Sequence, residues 1–166
     1  MADFSQAIVK ILAAEGGGKV TEIAGDAGGL TKYGISQRSY PALNIRNLTE
    51  QQARDIYKRD YWDLIRGDRI ELQIVAESIF GAAVNMGVKT ASKLAQTALD
   101  ETMSGGIVID GDIGEKTLSA LNRCSKSVFM SSFTLAKIGY YAHICNRDKT
   151  QSKFLLGWIN RALGGV

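Results

Sequence analysis

The sequence predicts a mainly α protein with a small β wedge near its N-terminus and a helical C-terminal part. Apolar residues recur at three- and four-residue spacing along most of the chain, the signature of helices with one buried face. The one contrasting stretch, Glu15 to Ser36, is laced with glycine and contains the β-prone segment Lys19–Ile23. Composition agrees: 166 residues with 45% hydrophobic and 22% charged residues can fold as one compact domain, or as a catalytic lobe with a small appended one.

Taken in order, Asp3 with Gln6 three residues on has capping-box spacing and starts the first helix. Ile8, Ile11, Leu12 and Glu15 share one face of it, and Gly16, Gly17 and Gly18 end it. Lys19–Ile23 then begins a hairpin or irregular wedge over residues 19–30 that returns Asp26 and Thr31 towards Glu15. Ser36 caps a short turn ending at Pro41, the only proline. Thr49 and Gln52 repeat the capping-box spacing and open a helix to about Asp60, with Ala53, Ile56 and Tyr57 inward. Tyr61 and Trp62 close it; such a pair can stack on sugar faces, although core packing is the commoner fate.

After a break at Gly67, Leu72, Val75, Ala76, Ile79, Phe80, Ala83 and Val84 form the stripe of a central buried helix ending at Gly87. Asn85 near its end can bond backbone or a substrate N-acetyl group. An amphipathic segment from Thr90 to Leu99 runs into Ser104-Gly105-Gly106, a boundary or exposed loop. Asp110-Gly111-Asp112-Ile113-Gly114 turns into a helix through Thr117, Leu118 and Leu121. From Ser127 to Ala162 the pattern is helical, with Phe129, Phe133, Ala136, Tyr140 and Ile144 on one stripe and Phe154, Trp158 and Ala162 on another.

Glu15 is the chemical focus. It lies on the core-facing side of a helix and at that helix's negative end, so partial desolvation and the helix dipole both favour a protonated carboxyl. Such an acid can donate a proton to a leaving oxygen. Asp26 offers a second carboxylate for a cationic centre or a water, and Thr31 a hydroxyl to hold that water. Turned into solvent, Glu15 would be an ordinary helix end, Asp26 a turn residue and Thr31 a cap.

Other chemistries find little support. A net charge of +3 from scattered Lys and Arg does not make a nucleic-acid footprint. Cys124 and Cys145 have no metal-ligand spacing and read as free thiols. His143, the only histidine, sits in no nucleophile-elbow context. The opening Met-Ala-Asp-Phe-Ser-Gln lacks a basic signal-peptide start and no apolar run is long enough to span a membrane, so cytoplasmic synthesis without stable membrane insertion is expected.

The run EGG from Glu15, then D-x-GG-x-T-x-x-GIS from Asp26, resembles the opening signature of glycoside hydrolase family 108, bacterial and phage N-acetylmuramidases with a lysozyme-like fold. Tyr61-Trp62-Asp63, the run from Phe80 to Gly87, Asp110 to Asn122 and Phe154 to Ala162 resemble the same family in the same order. The family more usually has an aromatic where this chain has Gly18. The Asp110 segment is also similar to small helical peptidoglycan-binding modules.

The resemblance implies a muramidase catalytic domain over residues 1–90 and a peptidoglycan-binding-like helical region over 91–166. It implies cleavage between N-acetylmuramic acid and N-acetylglucosamine, with Glu15 as general acid and Asp26 and Thr31 assisting. Gly28, Gly29, Tyr33, Tyr61, Trp62 and Asn85 are the implied substrate-binding positions. No cofactor or metal is called for, and no nucleic acid. The partner is peptidoglycan, reached in the periplasm or outside by passage that depends on a holin or a secretion system. A lytic transglycosylase or a non-catalytic wall-binding or secretion-accessory protein are the alternatives.

Overall fold

The structure, a computed structural model, describes residues 1–22, 29–103 and 105–164. Helix α1 (Phe4–Ala14) starts where Asp3 accepts the Ser5 N–H at 2.7 Å. The reciprocal half of the expected capping box is not made: the Asp3 N–H donates to the Gln73 side chain at 2.7 Å, pinning the helix start to a distant segment. Ala7, Ile8, Ile11 and Leu12 are buried, as their spacing requires. The helix stops because Gly16 takes a left-handed φ of 78°, and the Gly17 N–H caps the Leu12 carbonyl at 3.0 Å.

The wedge is a three-stranded antiparallel sheet, β1 (Thr21–Glu22), β2 (Leu30–Lys32) and β3 (Ile35–Ser36), paired in that order. It reaches beyond the expected residue 30 to Ser36, since Lys32 pairs with Ile35 across the two-residue turn Tyr33–Gly34. Both turn residues have positive φ, 53° and 76°, as a type I′ hairpin demands. Asp26 and Gly28 lie outside the described residues.

Helix α2 (Glu50–Tyr57) has the full capping box: the Gln52 N–H donates to Thr49 Oγ1 at 3.2 Å, and the Thr49 N–H donates to Gln52 Oε1 at 2.9 Å. Ala53, Ile56 and Tyr57 are buried as expected. The α-helix ends before Asp60, and a π-helical turn over Lys58–Trp62 takes its place. That turn swings Trp62 fully into the core, edge-on to Phe80 at 5.4 Å, with its indole N–H donating to Asp68 at 2.7 Å.

Gln73 opens α3 (Gln73–Met86), the central helix, with Val75, Ala76, Ile79, Phe80, Ala82 and Ala83 all buried. It packs on α1, on α4 (Val88–Thr102) and on α6 (Lys126–Arg147). Between the last two comes α5 (Glu115–Arg123), and after α6 a 3₁₀ turn over Lys149–Phe154 leads into α7 (Leu155–Gly164), which lies on α6. The long helix shows a corrected stripe. Buried positions run Phe129, Phe133, Lys137, Tyr141, Cys145, rather than through Ala136, Tyr140 and Ile144, because steps of four carry the buried face round the helix. Cys124 and Cys145 are free thiols.

Candidate active site

The glycine-ended α1 delivers Glu15 to a cleft of about 90 Å³ that it lines together with Gly34, Ile35, Ser36, Ser39, Tyr40, Tyr57, Tyr61 and Val84. That enclosed space suits a few waters or one substituent of a larger ligand lying across the mouth. Glu15 is half-buried, and its carboxylate accepts no hydrogen bond from a described residue. It is the only acid among the described lining residues.

Two close approaches fix it. A Cβ at Gly34 would fall 2.8 Å from Glu15 Oε2 and 2.5 Å from Tyr57 Oη, so only glycine lets the hairpin turn close over the acid. Tyr57 then donates its hydroxyl to the Tyr33 carbonyl at 2.9 Å, and the Tyr33 N–H donates to the Gly17 carbonyl at 3.2 Å. The turn is thereby held from α2 on one side and from the end of α1 on the other.

Hydroxyl groups make up most of the rest of the wall, beside Ile35 and Val84. Ser36 Oγ accepts the Ser39 N–H at 3.2 Å and lies 2.9 Å from Ser39 Oγ, so the turn cap expected at Ser36 also supplies two hydroxyls to the cleft. Tyr40 donates to Asp60 at 2.7 Å. Burial first, then the Asp60 carboxylate, push the Tyr40 phenol above its ordinary range. Burial and then the Glu15 carboxylate do the same to Tyr57; for Tyr61 burial is followed by Asp60 and Glu15. All three phenols therefore remain neutral hydrogen-bonding groups beside Glu15, the one acid among the described lining residues.

The other sequence-derived positions divide. Tyr61 lines the cleft. Thr31 stands opposite Ser36 in the β2–β3 ladder, on the same face of the sheet, but is not among the lining residues. Tyr33 contributes its backbone to the frame, while its ring reaches the place that a side chain at position 18 would take: a Cβ there would fall 2.8 Å from Tyr33 Oη. Gly29 is an exposed position with a φ of 66° at the start of β2, away from the lining.

Two substrate-binding expectations are corrected. Trp62 has no exposed surface and is a core residue. Asn85 spends both ends of its amide on structure, donating to the Gly81 carbonyl at 2.8 Å and accepting from Arg161 at 2.7 Å, so it joins α3 to α7. Sequence reasoning missed Ser39, Tyr40 and Gly34 and took Tyr57 as core alone. The available signal was four tyrosines, 33, 40, 57 and 61, crowded into one short stretch after Glu15.

A helical body carrying one acid, among the described residues, in a hydroxyl-rich cleft beside a small sheet defines a protein suited to acid-assisted chemistry on a polyhydroxylated ligand. Residues 8–87 match the family model for Glycosyl hydrolase 108, and residues 90–163 match that for a Predicted Peptidoglycan domain. The chain thus joins a glycosyl hydrolase 108 domain to a C-terminal predicted peptidoglycan domain, and the first of these implies a glycoside hydrolase. Its fold is similar to that of SagA from Brucella abortus, with a TM-score of 0.71 and 24% identity, covering 97% of this chain and 94% of that one. No curated protein sequence matches the chain.

Proposed function

We propose that the protein is a muramidase that cleaves the bond between N-acetylmuramic acid and N-acetylglucosamine, with Glu15 as its general acid. The glycosyl hydrolase 108 and peptidoglycan domains supply the substrate class. The observation that carries the residue assignment is the half-buried Glu15 carboxylate, unbonded to any described side chain and aimed into a hydroxyl-lined cleft. In this reading Glu15 gives its proton to the glycosidic oxygen as the bond to the anomeric carbon breaks. A water then adds to that carbon and its proton passes to the Glu15 carboxylate, restoring the acid, while the Ser36–Ser39 hydroxyl pair in the same cleft orients the water. Asp26 and Thr31 keep the assisting roles that the sequence motif implies. Tyr40 and Tyr61 recognise sugar hydroxyls.

The division of labour follows the matched stretches, with residues 1–90 cleaving and 91–166 holding the wall. Action at the cell wall, after holin- or secretion-dependent passage, belongs to the same proposal. A single described acid in the cleft also suits a lytic transglycosylase, which closes an anhydro ring without water. Purified peptidoglycan incubated with the wild-type chain and with Glu15→Gln distinguishes the two by mass spectrometry of soluble products. Reducing N-acetylmuramic acid ends are expected, falling at least a hundredfold in the variant. Anhydro ends would replace the muramidase reading, and products undiminished by Glu15→Gln would remove Glu15 as the acid.

A further inference from the structure

A second concavity, of about 520 Å³, lies outside the Glu15 cleft, between α5 and the segment that follows α4. It falls within the volume range of pockets that hold small ligands. Lys116, Ser119, Ala120 and Arg123 line it, and these are positions i, i+3, i+4 and i+7 of α5, one continuous face. Met103 and Ile107 supply apolar surface on the other side.

The charges around it are not equivalent. Glu115 at the rim is already neutralised: Arg66 and Arg69 reach it at 2.8 and 2.5 Å. Asn122, seven residues on, accepts the Glu71 N–H and donates to the Arg69 carbonyl, each at 3.0 Å. One face of α5 is therefore clamped to residues 66–71 and the adjoining face is turned to the concavity. On that second face Lys116 has no ion-pair partner among the described residues, and Arg123 has only a hydrogen bond to the Ser119 carbonyl at 3.1 Å. Two cations with no carboxylate partner among the described residues, about 10 Å apart along the helix, flank a pocket with short, partly apolar walls.

We infer that this groove binds the peptide stem of peptidoglycan, an acidic, alanine-containing peptide whose carboxylates sit on Lys116 and Arg123. An extended peptide advances about 3.3 Å per residue, so two long basic side chains at this separation span carboxylates two or three residues apart. The small residues Ser119 and Ala120 between them leave room for the backbone and its methyl groups. The inference rests on peptidoglycan being the substrate, and it assigns the stem to α5 while the glycan occupies the Glu15 cleft. Stem binding there would raise the local concentration of glycan at the acid without adding to the chemical step.

The test uses the full-length chain, isotope-labelled for amide NMR, titrated with the free stem tetrapeptide L-alanyl-D-glutamyl-diaminopimelyl-D-alanine. Resonances of residues 105–107 and 115–123 are expected to move, and the double variant Lys116→Gln/Arg123→Gln to weaken binding at least tenfold. Ser119→Glu, at an exposed helix position, is expected to weaken it as well by repulsion, which guards against a folding defect in the double variant. Hydrolysis of glycan strands stripped of peptide should be the same in all three, while KM on intact sacculi rises. Peptide shifts confined to the Glu15 cleft, equal affinity in wild type and variants, or the same residues answering to a DNA duplex and not to the peptide would each overturn the inference. Stem binding at α5 with no cleavage of either glycan would sink the muramidase reading and leave this one standing.

Discussion

Glu15 could be found from sequence because two local facts coincide there, a helical face that turns inward and a run of glycines that ends the helix at that residue. Its neighbours could not. Gly34, Ser36 and Ser39 come to it through a hairpin turn, and Tyr57 and Tyr61 through the end of α2 and the π turn, so the cleft is assembled from pieces that pattern reading treats separately. Gly34 is the residue on which this assembly depends. Gly34→Ala places a methyl group against both Glu15 and Tyr57 in a left-handed turn, a conformation that costs an L-residue about 1–2 kcal/mol. The variant is expected to fold with a lower Tm and to lose on the order of a hundredfold in kcat, since displacing a catalytic group by about 1 Å has that effect. Turbidity loss of a peptidoglycan suspension, read beside thermal unfolding, checks both. A kcat within twofold of wild type would show that the turn does not set the position of Glu15.

At the level of elements, the cap of α2 and the buried faces of α1, α2 and α3 are legible in the sequence, and the buried face of the long α6 is not. The Thr49–Gln52 box needed only four residues of sequence, whereas the buried face of α6 depends on what packs around it. Lys137 shows why: pattern reading avoids a lysine on a buried stripe, yet the residue is 4% exposed, with its ammonium 5.0 Å over the Phe133 ring and 3.2 Å from the Ala162 carbonyl. No carboxylate among the described residues pairs with it, and burial lowers its pKa to about 8 from 10.5. Between those two values the unfolded chain holds more of the proton than the folded one, so this group makes stability rise with pH from about 8 to 10.5 and leaves it on a lower, flat level below 8. Lys137→Met, of similar length and uncharged, is therefore expected to raise Tm at pH 7 by a few degrees and to remove that rise at alkaline pH. Calorimetry across pH 6 to 10 measures it. A lower Tm at pH 7 would mean that the bond to Ala162 and the Phe133 contact outweigh the buried charge.

At the scale of the whole molecule, the two matched stretches share one core. Motifs divide the chain near residue 90, but the buried residues form one cluster running from Ala2 to Phe133, and α3 from the first matched stretch packs directly on α4 and α6 from the second. A helix as uniformly apolar as α3, with Val75, Ala76, Ile79 and Ala83 without exposed surface, has no way to stay folded if one of its partners leaves. The two matched stretches should accordingly melt together. Phe129, fully buried on α6 and stacked on Phe133 at 5.5 Å, tests this from the far side of the boundary. Phe129→Ala is expected to cost about 3–5 kcal/mol. In a Trp158→Phe background Trp62 is the sole tryptophan and reports on the first part alone. Its emission should shift at the same temperature as the far-ultraviolet circular dichroism, before and after Phe129→Ala, and both should fall together in the variant. If Trp62 kept its wild-type transition while the helical signal melted early, the shared cluster would not couple the two parts, and the first matched stretch would be a domain able to stand on its own.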